Sequence, residues 1–86
     1  MAGQSKVKKL VGKMLNGPAY TPVGDVRSVL NFFGYEQANK QGSHVSYMNK
    51  TGEQVTVVEI QGKQVARTYI QRIVDLLNLE EWYHEQ

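Results

Sequence analysis

The sequence predicts an α+β fold: a three-stranded antiparallel sheet with helices packed on one face, plus an extra helix at the N-terminus. Three observations carry this expectation. Apolar residues recur at spacings of three and four in two segments before residue 34 and in one after residue 64, the period of amphipathic helices. Between them, residues 35–60 change to alternating and β-branched patterns, the mark of strands. The turns inside that stretch are short, and short turns join antiparallel strands, because parallel ones need a long crossover.

The first helix is expected over residues 4–16, with Val7, Leu10, Val11, Met14 and Leu15 on one stripe. Asn16-Gly17-Pro18 stops it, since glycine tolerates the C-terminal cap conformation and proline cannot continue a helix. A second helix is expected from Thr21 or Pro22 to Phe33, with Val26, Val29, Leu30 and Phe33 buried. Thr21 suits an N-cap, Pro22 the first helical position, and Asp25 the positive end of the helix dipole.

Tyr35–Asn39 reads as a first strand and His44–Met48 as a second, in which Val45 and Tyr47 alternate with His44 and Ser46. Asn49-Lys50-Thr51-Gly52 is a hairpin signal, and Gln54–Ile60 is the clearest strand. Gln61-Gly62-Lys63-Gln64 breaks the pattern. Residues 65–78 then form the best helix, with Val65, Tyr69, Ile73, Val74 and Leu77 in one stripe. A short acidic tail over 80–86 completes a single domain over 1–86, with the order α-α-β-β-β-α. Such a string is stable with helices over one sheet face, which leaves the other face open.

With 86 residues the chain supports one modest core, so any chemistry belongs on a surface or in a shallow groove. Cysteine is absent, which excludes disulfides, thiolate catalysis and Cys-based metal sites. No apolar run approaches the ~18 residues of a membrane span, and the polar, lysine-bearing start does not read as a signal peptide. A cytoplasmic protein with no membrane association is expected. Charge is unevenly spread. Residues 1–13 carry Lys6, Lys8, Lys9 and Lys13 and no acid, whereas the last residues carry Glu80, Glu81 and Glu85. A basic body favours a polyanionic partner.

The chain has two histidines, His44 and His84, and no P-loop, GxSxG, HExxH or GxGxxG motif. No cofactor and no metal is expected. Gly42 and Ser43 form a tight turn that delivers His44 to the start of a strand. If Val45 and Tyr47 face the helices, His44 and Ser46 face solvent. An exposed histidine can serve as general acid or base near neutral pH, and Lys40, close in sequence, can hold a phosphate. Gly62-Lys63, followed by Arg67, is a second anion-binding candidate, expected at the N-terminus of the last helix. His84, in the acidic tail, reads as a surface residue.

Taken in order, Phe33-Gly34-Tyr35, Lys40-Gln41-Gly42-Ser43-His44, Tyr47, Val55–Val58, Gly62-Lys63 and the helix over Val65–Leu79 resemble the HicA family. The resemblance covers residues 23–79, and the ending from Leu77 to Trp82 is similar to that of some longer members. It implies a HicA-like core over 21–79 with a double-stranded-RNA-binding-like α-β-β-β-α fold. It also implies the toxin role in a type II toxin–antitoxin pair: an endoribonuclease (mRNA interferase) that cleaves mRNA through His44. Lys40, Gly42 and Ser43 match the turn around that histidine. The implied partner is a HicB-like antitoxin that covers it. Two features depart from the family: Val45 stands where many members have a second histidine, and the helix over 4–16 is extra. The alternatives are a non-catalytic RNA-binding module and a protein-interaction module, in which the N-terminal stripes, Trp82 and Tyr83 would form a homodimer or partner interface.

Overall fold

The computed structural model describes residues 2–85 and shows an α+β chain with five antiparallel strands and four helices. Helix α1 spans Ala2–Leu15, β1 Tyr20–Pro22, α2 Val23–Phe32, β2 Glu36–Gln41 and β3 His44–Met48. They are followed by β4 Gln54–Ile60, β5 Gln64–Ala66, α3 Arg67–Leu77 and α4 Leu79–Glu85. The sheet order is β1-β5-β4-β3-β2.

The three expected strands are present as β2, β3 and β4, but the sheet has five, and the two additional ones have local causes. After β4, Gln61 and Gly62 both take positive φ (54° and 68°), and the Lys63 N–H donates to the Ile60 carbonyl at 3.0 Å. Positive φ at both central residues is the type I′ pattern, whose twist matches paired strands. The chain therefore folds back on β4 and residues 64–66 become β5, so the helix expected from 65 begins at Arg67. Val65 fits the helical stripe by spacing, yet here it is fully buried in a strand between Glu59 and Thr21.

β1 has a similar explanation. The residue before a proline is pushed toward extended backbone, so Thr21 lies in a strand paired with Val65 instead of capping a helix. Pro22 takes the N-cap position of α2, with no side-chain cap bond. It lies on a sheet edge, where its missing N–H is tolerated.

The expected tail is also ordered through residue 85, while Gln86 lies outside the described residues. Asn78 in the left-handed region (φ 51°) ends α3, and α4 follows at once with Leu79 fully buried. Trp82 packs edge-on against Phe32 and Phe33, with ring centroids 5.9 and 5.2 Å away, tying α4 to the end of α2.

One core joins all layers. Val7, Val11 and Met14 of α1, Val26, Val29 and Leu30 of α2 and Ile70 and Ile73 of α3 pack with Val45, Tyr47, Val57 and Val65 of the sheet. Burial alternates strictly along β3 and β4, so the helices cover one sheet face and leave the other open.

Candidate functional site

The β2–β3 connection is a two-residue turn, Gly42-Ser43, closed by the pair Gln41 and His44. Gly42 has φ +58° and Ser43 does not share a positive φ, the type II′ pattern that calls for glycine at the first central position. This turn fixes the register. His44 lies opposite Gln41 on one side and Val58 on the other. Its neighbour Val45 is fully buried, and strand alternation therefore places His44 on the uncovered face, where it is exposed. Ser46 shares that face, and its hydroxyl is 3.0 Å from that of Thr56.

The same register separates His44 from Lys40. Lys40 pairs with Val45, so it belongs to the helix-covered face, opposite to the histidine. There its ammonium is 3.7 Å from the Glu59 carboxylate, a group only 5% exposed. Lys40 therefore neutralises a nearly buried acid at the rim of the core, and the cross-strand neighbour of His44 is Gln41, which the sequence reading did not single out. The length of the turn could have revealed it, because a two-residue loop makes Gln41, not Lys40, the partner of His44.

Lys63 is brought to the His44 end. β4 runs antiparallel to β3, so its last residues reach past His44. The Glu59 N–H donates to the Ser43 carbonyl at 2.8 Å, stitching the Gly42-Ser43 turn to the start of the Gln61-Gly62 turn. Lys63, exposed, therefore stands at the same end of the sheet as Ser43 and His44. It is in a hairpin turn, however, and not at a helix N-terminus as expected, since the helix starts four residues later.

Arg67 is separated from this cluster by the length of β5. Its backbone N–H is bound to the Ala19 carbonyl at 3.0 Å, and its guanidinium lies over Gly17. His84 is exposed on α4, with its ring 5.7 Å from that of Tyr83.

The uncovered face also carries apolar groups. Ile60, two residues after Val58 on the same face, is 36% exposed, and Met48 at the other end of β3 is 39% exposed. On the covered side, burial pushes the Tyr35 hydroxyl above the usual tyrosine range, and the Glu53 carboxylate adds to the effect. Among the described residues no group of His, Cys, Asp or Glu side chains gathers into a potential metal site, and no helix is long and apolar enough to cross a membrane.

Compared with protein-family models, with curated proteins and with solved structures, the chain finds no match.

Proposed function

We propose that the protein is a HicA-type toxin, an endoribonuclease that cleaves mRNA with His44 as general acid–base and needs no metal. The observation that carries this reading is the exposed His44 on the uncovered sheet face, at the end where the Gly42-Ser43 and Gln61-Gly62 turns are joined. In the proposed step, neutral His44 takes the proton of a ribose 2′-OH. The 2′-oxygen bonds to the adjacent phosphorus, the bond from phosphorus to the 5′-oxygen breaks, and that oxygen leaves with a proton. The products are a 2′,3′-cyclic phosphate and a 5′-hydroxyl. Lys63 supplies positive charge at the phosphate, and Gln41 and Ser43 offer hydrogen bonds beside it.

Exposed Met48 and Ile60, on the same face as His44, support an antitoxin of HicB type docking over the histidine. The family's double-stranded-RNA-binding-like topology is part of the same proposal, with β1, β5, α1 and α4 added to an α-β-β-β-α centre.

A single acid–base group contributes about 10²–10⁴-fold. The purified chain should therefore cleave mRNA in the presence of EDTA, and His44→Ala should lower the rate by about that factor. Equal cleavage by both proteins removes His44 from the mechanism. Salt-sensitive RNA binding without cleavage by either would assign a binding module instead.

A further inference from the structure

We infer that α1 carries a second RNA contact, a stripe of lysines that holds the phosphodiester backbone on the side of the molecule away from His44. This deepens the nuclease reading, on which it rests for the identity of the ligand.

Lys6, Lys9 and Lys13 are spaced three and four residues apart, lie on one side of α1 and are all exposed. The opposite side, with Val7, Leu10, Val11 and Met14, is buried in the core. None of the three lysines has an ion-pair partner among the described residues. This holds although Glu80 of α4 lines the same groove as Lys9 and Lys13. Like charges at i,i+3 and i,i+4 oppose helix formation, so the three lysines repel one another in the free protein.

Three observations select RNA as the occupant. α1 has already spent its apolar face on the core, so it cannot lie in a lipid interface as an amphipathic membrane helix does. From Lys6 to Lys13 the helix rises about 10 Å, the axial span of about four stacked phosphates at 3.4 Å per step, so the long lysine side chains can reach neighbouring phosphates of one strand. Beside the stripe runs a groove of about 640 Å³ between α1 and α4, lined also by Asn16, Tyr83 and His84. The Tyr83 ring is packed on Gly12, with the Lys8 ammonium 5.5 Å from its centroid, so this groove offers a strand polar contacts through Asn16 and the lysines.

Helix α1 packs on α2 and α4, away from the uncovered sheet face. A strand engaging both His44 and the stripe must therefore pass around a body 22 Å across in its thinnest direction, which only a long RNA can do.

The test measures binding of a fluorescent single-stranded 24-nucleotide RNA by the full chain carrying His44→Ala, with and without K6Q/K9Q/K13Q, across salt concentrations. Glutamine keeps helix propensity, and circular dichroism and melting check the fold. Loss of three phosphate contacts should flatten the slope of log affinity against log salt by about 2, so that from 50 to 200 mM salt the parent loses about 20-fold more affinity than the variant. K6R/K9R/K13R should bind as the parent does. An unchanged slope in the glutamine variant, or no RNA binding by the parent at low salt, overturns the inference. Unchanged RNA binding with lost poly-glutamate binding also overturns it, in favour of an acidic polypeptide. The two readings fail separately: a protein that cleaves through His44 but keeps its slope loses the stripe, whereas one that never cleaves but loses its slope keeps it.

Discussion

The two faces of the sheet are built from the same strands and do opposite work. On the covered face Val45, Tyr47, Val57 and Val65 are buried almost completely, and each is fixed by neighbours from the helices. On the open face His44, Ser46, Thr56 and Val58 alternate with them and are free to meet a partner. A period of two lets one residue in each pair hold the fold and the next present chemistry. Stability and activity should thus be separable by single substitutions a residue apart.

The largest effect is expected from the covered side. Ile73 is fully buried, and Ile73→Asp places a charge among apolar side chains at a cost of several kcal/mol, comparable to the whole stability of a small domain. The variant should show no cooperative thermal melt and no activity. A melt within a few degrees of wild type would mean that the helix layer is not what holds the sheet.

The turn that joins β2 to β3 comes next. Gly42→Ala puts a β-carbon on a residue at φ +58°, which costs about 1–2 kcal/mol, a drop of roughly 5–15 °C in melting temperature. Because the same turn sets the register of His44, cleavage should fall along with stability. A variant that melts early yet cleaves at the full rate would uncouple the turn from the site.

Tyr47→Phe is smaller and opposite in sign. The hydroxyl of Tyr47 is buried and has no hydrogen-bond partner among the described residues. Removing it deletes an uncompensated polar group and should raise stability by up to about 1 kcal/mol, read from a denaturant midpoint at unchanged slope. A loss of more than that would reveal a partner for the hydroxyl. The smallest change in stability, within about 0.5 kcal/mol, is expected for His44→Ala, the substitution that should cost most in activity. That contrast, measured on one preparation, sharpens the division between the faces.

Much of this division was legible in the residue order. The alternation around Val45 and Tyr47 placed His44 on the outside without coordinates, because the side-chain period of a strand is fixed at two. The helices before residue 34 were visible because their apolar spacing has no rival reading. The partition of Lys40 from His44 is not visible in their nearness along the chain, because a two-residue turn sends residues four apart to opposite faces. β5 was missed because Val65 fits a helical stripe as well as a strand, and three residues are too few for a period to show.

By itself the sequence determined which segments have one apolar side, where the chain turns, and that the histidine after Gly42-Ser43 alternates with buried neighbours. These are local properties, set by sterics and by side-chain periods. Only the tertiary structure decided that residues 20–22 and 64–66 are strands, that the acidic end is a helix anchored by Trp82, and that Lys63 stands at the His44 end of the sheet while Lys40 turns to Glu59. Each of these depends on which distant segment supplies the hydrogen bonds or the apolar surface, and a short stretch of chain takes whichever conformation that partner rewards.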